Sequence, residues 1–352
     1  MPDLNDAWLN LPHAHGGPCG SGRLRVEDAD FQVDENLGYE PDGDGEHALI
    51  QVRKRAMNTD QVARELARLA DVPVRDVSYA GMKDRNAVTT QWFSVGLAGR
   101  SEPDWTQLND DRLEVLTRAR HRRKLRRGEL EGNRFRLRIR DLDVDTACLA
   151  ARLSAVAEQG VPNYFGDQRF GWGGGNLEKA EAMLLRGRRE RDRHRRGLYM
   201  SAARSFLFNQ VLAKRVHEGS WNQLLSGELV VMEDMDDVFE LDPNEVGLAR
   251  RLAAFEIHPS GPLWGRGRLR TREDAHAAES AALSDWQAWC EGLEHVGLGQ
   301  DRRALRISPR GFAWAWEHDD LILTFSLPAG AYATALLREL IESREADSET
   351  PM

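Results

Sequence analysis

The residue best placed to do chemistry is Asp84, in the run GMKDRNAVTTQ, where Lys83 and Arg85 flank it. A carboxylate is ionised at neutral pH, and adjacent cations keep it so even when it is partly desolvated. Such a group serves as a nucleophile or a general base without a metal. An aspartate in a Gly-led loop also commonly closes a tight turn, so from the residues alone both readings stand. Other candidates are weaker. His13 and His15 have ligand-like spacing, yet paired histidines near a terminus are more often surface residues. Cys19, Cys148 and Cys290 are far apart, odd in number and without a CxxC. That speaks against a disulfide framework and a zinc site, and for a reducing cytoplasm. GxxxxGK[ST], GxGxxG, HExxH and GxSxG are all absent, although FGWGGGN is glycine-dense. Neither a metal nor a cofactor is therefore expected.

The arrangement of charge says more than its sum. The 352 residues carry a net charge of -9 with 30% charged side chains, which alone would repel a polyanion. Residues 118–127, RARHRRKLRR, contain no acid, and residues 186–196, RGRRERDRHRR, are diluted only by Glu190 and Asp192. Screening over about 8 Å lets a ligand feel the nearby patch more than the distant total. Arginine, which dominates both segments, suits bidentate phosphate contact. Nucleic-acid phosphates are the expected partner, with a pair of solvated helix faces as the plain alternative.

The elements that would position these groups are legible from periodicity. Asn58 to Ala70 reads as a helix, with Val62, Leu66 and Leu69 at helical spacing and Asn58 with Gln61 as a capping box. VSYA at 77–80 and TQWFSV at 90–95 read as strands on either side of the Asp84 loop. RFRLRIR at 134–140 alternates without a fault: Phe135, Leu137 and Ile139 face inward and the arginines outward, forming a phosphate-binding row or a charge-protected edge. Ala147 to Gln159 and residues 201–216 read as helices, LILTFSLP as a strand and AYATALLRELI as a helix, while the acidic tail ESREADSETPM reads as frayed. The N-terminus carries acids where a signal peptide carries bases, and no apolar run reaches the roughly 18–20 residues of a membrane span.

Taken together, the blocks resemble one family. SYAGMKDRNAVTTQWFSV resembles the GxKDxxAxTxQ motif of the TruD family of tRNA pseudouridine synthases. ADFQVDENLGYEPDGDGEH, RHRRKLRRGELEGNRFRLRIR, VPNYFGDQRFGWGGGNLEKA, SAARSFLFN and LPAGAYATALLREL resemble further blocks of that family, in its order, from about residue 20 to 342. The resemblance implies isomerisation of uridine to pseudouridine in tRNA, at position 13, with a flipped-out base and no cofactor. It implies Asp84 as the nucleophile, attacking either the ribose C1′ or the uracil C6. It assigns substrate contact to Phe31, Asn133 and Tyr332, with Phe135 and Lys83 helping to form the pocket and Arg25 pairing with Asp84 or with a phosphate. Arg25 stands where the family usually has Lys, and Tyr332 where many members have Phe. It also implies an α+β fold: a pseudouridine synthase core with a mixed, largely antiparallel sheet, formed by residues 1–157 and 305–352. An inserted α/β TRUD domain would occupy 158–304, with RNA between the two. The expected partner is tRNA, with no membrane and no obligate protein partner, and the expected location is the cytoplasm. Two other classes compete: a module that folds tRNA without modifying it, and a hydrolase with Asp84 as base. The intact motif loop weighs against the first, and the lack of a second acid in that loop against the second.

Overall fold

The computed structural model describes residues 3–233, 237–241 and 245–345. The helices are α1 (Leu4–Leu9), α2 (Thr59–Leu69), α3 (Thr146–Gln159), α4 (Gly175–Leu184), α5 (Arg193–His217), α6 (Leu248–Ala253), α7 (Glu273–Ala282), α8 (Gln287–His295) and α9 (Ala333–Leu337). The first strands are β1 (Gly20–Leu24), β2 (Phe31–Asn36), β3 (His47–Arg55), β4 (Val77–Tyr79), β5 (Val88–Gly96), β6 (Leu113–His121) and β7 (Gly132–Val144). They are followed by β8 (Val161–Pro162), β9 (Leu229–Met232), β10 (Val238–Glu240), β11 (Ile257–Leu263), β12 (Asp301–Ala304) and β13 (Arg306–Ile307). Last come β14 (Arg310–Glu317), β15 (Asp320–Pro328) and β16 (Glu342–Glu345). The described residues divide into two compact units, one of 20–145, 309–330 and 341–345, the other of 3–19, 146–308 and 331–340.

The unit containing Asp84 is built on a ten-stranded sheet of order β14-β15-β7-β2-β5-β3-β6, with β1 paired to β7 and β16, and β4 to β5. Among its pairs only β2–β5 and β1–β16 run parallel, so the sheet is mixed and largely antiparallel, as expected. Strand register puts Phe31, Val33 and Glu35 of β2 on the same face as Asn133, Phe135 and Leu137 of β7. Thr89, Gln91 and Phe93 of β5 and Ile50, Val52 and Lys54 of β3 follow on that face, because side chains alternate with period two. Helix α2 covers the β3 end of it: Val62, Ala63 and Leu66 join Ala48, Ile50, Val52, Phe93 and Val95 in one buried cluster. The reciprocal capping box of Asn58 and Gln61 fixes where α2 begins.

Three expectations need correcting here. Strand β7 is a central strand, and three of the four arginines in its expected positive row are already paired. Arg136 and Arg138 meet Glu317, Arg138 also meets Asp320 at 2.7 Å, and Arg140 forks onto the buried Asp30 at 2.8 and 2.9 Å. Acids brought in from elsewhere in the chain neutralise them. Segment 118–127 is partly answered in the same way, with Arg120 on Glu102, Arg122 on Asp44 and Arg123 on Glu129. The start of the acidic tail is ordered: residues Ser21 to Leu24 of β1 and 342–345 of β16 pair in register, since backbone ladders do not require apolar side chains. The rest of that tail, from 346, lies outside the described residues.

The other unit holds a four-stranded sheet of order β10-β9-β11-β12, antiparallel throughout, and the β8–β13 pair. Its core gathers on α5, where Met200, Ala203, Phe206, Leu207 and Val211 pack with Trp286 and Trp289. The helix read at 201–216 begins earlier, at Arg193, because Asp192 caps it by accepting from the Arg195 amide at 3.0 Å. The helix read in AYATALLRELI is shorter, Ala333–Leu337.

The chain passes between the two units at 145/146 and again at 308/309. Trp8 of α1 is buried in the α5 cluster. Helix α3 belongs with this unit as well. It is tied to the N-terminal segment by Arg152, which donates to the Gly17 carbonyl at 3.2 Å, and by a disulfide. That disulfide, Cys19–Cys148 with Cα atoms 5.7 Å apart, is a further correction, since the wide spacing and odd number read against disulfides and for a reducing compartment. A separation of 129 residues says nothing about distance once the chain folds back.

Candidate active site

The loop from Gly81 to Asn86 connects β4 to β5 and rises from the sheet's α2-covered face. Asp84 is its one carboxylate, with a side chain 44% exposed. Arg25, just past the end of β1, places Nη2 2.8 Å from Asp84 Oδ2. The same guanidinium lies 4.1 Å over the ring of Phe31, a cation–π contact that fixes its plane. Arg25 has φ of 57°, in the left-handed region that a bulky residue adopts at a cost of about 1–3 kcal/mol. A cation–π contact and a strained backbone thus both hold the arginine of this ion pair.

Behind Arg25 an aromatic row runs along the sheet face. Phe31 meets Phe135 edge to face at 6.4 Å, and Phe135 stacks on Phe325 at 5.2 Å. Asn133 lies opposite Glu35 in the β2–β7 register, and its Oδ1 is buried without a hydrogen-bond partner among the described residues. A buried acceptor left open costs free energy, and an N–H edge brought to it would recover that cost. Lys83 turns inward instead of outward. Its ammonium is taken by the fully buried carboxylate of Glu35, whose other oxygen accepts from the Trp92 amide at 3.1 Å.

The expected residues therefore divide. Arg25, Phe31, Lys83, Asp84, Asn133 and Phe135 all lie in the unit built on the large sheet. Tyr332 lies in the other unit, at the start of α9. There its hydroxyl accepts from Arg169 Nη2 at 3.0 Å and its ring meets Phe165 edge-on. Phe165 is held by both ends of the Asn209 amide, at 3.0 Å each, and Arg303 lies 4.1 Å over its ring. Burial pulls the Arg303 guanidinium down to about 10. Segment 186–196 is exposed apart from Glu190, with Arg186 paired to Glu181. No group of His, Cys, Asp and Glu with metal-holding geometry occurs among the described residues, and none of their helices is long and apolar enough to cross a membrane.

Four buried polar residues around the Asp84 loop, Glu35, Lys54, Thr59 and Gln91, are not among those expected from sequence. Gln91 closes the GxKDxxAxTxQ run, and two of the others carried a signal in their parity. Lys54 continues the inward parity of Ile50 and Val52, and Glu35 that of Phe31 and Val33, so each charge sits where an apolar side chain belongs.

A mixed sheet whose face carries an arginine-paired aspartate, a row of aromatic rings and an open amide acceptor makes this an α+β protein with a candidate carboxylate-centred site. The model of the family "tRNA pseudouridine synthase D (TruD)" matches residues 13–191 and 189–340. A tRNA pseudouridine synthase D of Methylococcus capsulatus is 51% identical over 334 residues, covering 95% of this chain and 94% of that protein. One of Aeromonas hydrophila is 47% identical over 337 residues, covering 96% and 95%. A solved Methanosarcina mazei structure bearing the same TruD description superposes with a TM-score of 0.70 at 22% identity, over 96% of this chain and 97% of that one, a likeness of fold. The chain belongs to the tRNA pseudouridine synthase D family.

Proposed function

We propose that the chain isomerises a uridine of tRNA to pseudouridine, at position 13, with Asp84 as nucleophile. The observation that carries this reading is the ion pair of Asp84 with Arg25, which holds a half-exposed carboxylate in place over a sheet face offering an open acceptor. The C1′–N1 bond breaks, the uracil turns and a C1′–C5 bond forms, while C5 gives up its proton and N1 gains one, so atoms and electrons balance with no oxidant or second substrate. Asp84 bonds to C1′ or to C6 on the way and is released unchanged. The target base must leave its stack, at a cost of a few kcal/mol. Aromatic walls offset part of that cost, and Phe31 and Phe135 are the candidates in this unit. Phe31 already carries Arg25 on one face, so its second task is to orient the guanidinium. Asn133 Oδ1 is suited to accept from the uracil N3–H. We assign Lys83 an indirect part, holding the loop through Glu35, and Tyr332 a contact with the RNA substrate.

The large-sheet unit is then the catalytic core, and residues 158–304 of the other unit form the family's inserted domain, with tRNA as partner and the cytoplasm as location. The exposed arginines of 186–196 meet phosphates, and binding should weaken steeply with salt. The test is incubation with unmodified tRNA transcripts followed by chemical mapping of pseudouridine. Asp84→Asn should abolish product while sparing RNA affinity. Near-normal turnover by that variant would end the nucleophile assignment, and RNA binding without product by the native protein would favour an RNA-folding role.

A further inference from the structure

Three buried polar side chains, each from a different element, grip the backbone of the Asp84 loop. Lys54 of β3 is 1% exposed, and its ammonium donates to the carbonyl of Asp84 itself at 2.8 Å and to that of Met57 at 2.7 Å. Thr59, the first residue of α2, accepts from the Lys83 amide at 3.0 Å and donates to Gln91 Oε1 at 3.1 Å. Gln91 of β5 donates through Nε2 to the Gly81 carbonyl. Thr59 and Gln91 are fully buried. The loop is thus bound at Gly81, Lys83 and Asp84 by groups that water does not reach.

We propose that Lys54, Thr59 and Gln91 form a buried cradle that positions the nucleophile, so that they govern turnover without touching RNA. The inference rests on the reading of Asp84 as nucleophile. Its physical content is geometric. The Arg25 contact fixes one oxygen of the carboxylate, but the path of the main chain decides where Cα and the second oxygen lie. Lys54 acts on the main-chain carbonyl of the reacting residue, with no intervening group. Burial makes this an expensive place for an ammonium, and its two direct acceptors are neutral carbonyls, so neither contact is an ion pair. That cost buys a fixed loop. A displacement of about 1 Å in a reacting group lowers rates by about a hundredfold, and a loop with exposed backbone would move by at least that much.

Thr59→Val keeps the shape and removes the hydroxyl, while Thr59→Ser keeps the hydroxyl. Thr59→Val should lower kcat about ten- to hundredfold, with tRNA Kd within about threefold of native. Thr59→Ser should recover most of the rate. Lys54→Met should reproduce the Thr59→Val split between kcat and Kd. Equal impairment of the valine and serine variants, native turnover in Thr59→Val, or a loss confined to Kd would overturn the cradle. If both apolar variants fail to fold, hydrogen exchange of the Lys83 amide in the native protein decides. Slow exchange supports the cradle, and exchange at the rate of an open loop refutes it. Asp84→Asn is measured alongside. An active Asp84→Asn removes the nucleophile reading and the cradle with it, whereas an inactive Asp84→Asn beside a normal Thr59→Val removes the cradle alone.

Discussion

Replacing Lys83 with Met tests the buried ion pair beneath the site. In the folded protein the Glu35 side chain is 0% exposed and that of Lys83 8%, and the carboxylate has two partners, the Lys83 ammonium and the Trp92 amide. Met fills the volume of the lysine stem, so no cavity contributes. What changes is that a buried carboxylate keeps only one backbone donor. Removing one partner of a buried pair costs about 3–5 kcal/mol. For a unit of this size that corresponds to a fall in Tm of roughly 6–20 °C. Replacing both, Lys83→Met with Glu35→Leu, removes the stranded charge, and apolar replacement of buried pairs is often neutral. Thermal melts followed by circular dichroism, with both singles and the double, give the cycle. The reasoning is refuted if Lys83→Met melts within about 2 °C of native, or if the double variant melts below both singles.

Arg25→Met should lower kcat by about tenfold or more, because the ion pair to Asp84 and the stack on Phe31 go together; Arg25→Lys should recover part of it, and steady-state kinetics on a tRNA transcript decide. Changing Arg188, Arg189 and Arg191 to Glu should weaken tRNA binding and flatten its salt dependence, by about 0.7–0.9 in log–log slope for each phosphate no longer engaged. Turnover at saturating RNA should stay unchanged, and filter binding across a salt series reads the slope. Burial pulls the Lys54 ammonium from its ordinary 10.5 down to about 8, against the field of Asp84, which raises it, and aided by Lys83, which lowers it. The unfolded chain keeps that proton to higher pH, so this group's penalty is fully present below about pH 8 and is relieved as pH rises toward 10.5. Denaturant unfolding at several pH values should show this rising contribution in the native protein and its loss in Lys54→Met.

Much of the site was legible because it is local. The Asp84 loop, the strands on either side and the capping box of α2 depend on residues within a few positions of one another, and alternation in β7 identified Phe135, Leu137 and Ile139 as inward before any fold was known. The order of the blocks then carried the family. The sequence also held the parity of Lys54 and Glu35, two charges on an otherwise apolar face, although nothing local said what they would bind.

Tertiary structure decided the pairings. Arg25 finds Asp84 across 59 positions, Lys83 finds Glu35 across 48, and Arg138 finds Glu317 across 179. An arginine row in sequence is a count of charge. Whether it reaches phosphates or carboxylates depends on which segments become neighbours: β14–β15 brought Glu317 and Asp320, and the turn before β2 brought Asp30. Cys19 and Cys148 met for the same reason. Periodicity is a property of one segment, so the sequence specified each element's inner and outer face. Partners are a property of two segments, so only the folded chain could show that the loop of Asp84 rests on Lys54, Thr59 and Gln91.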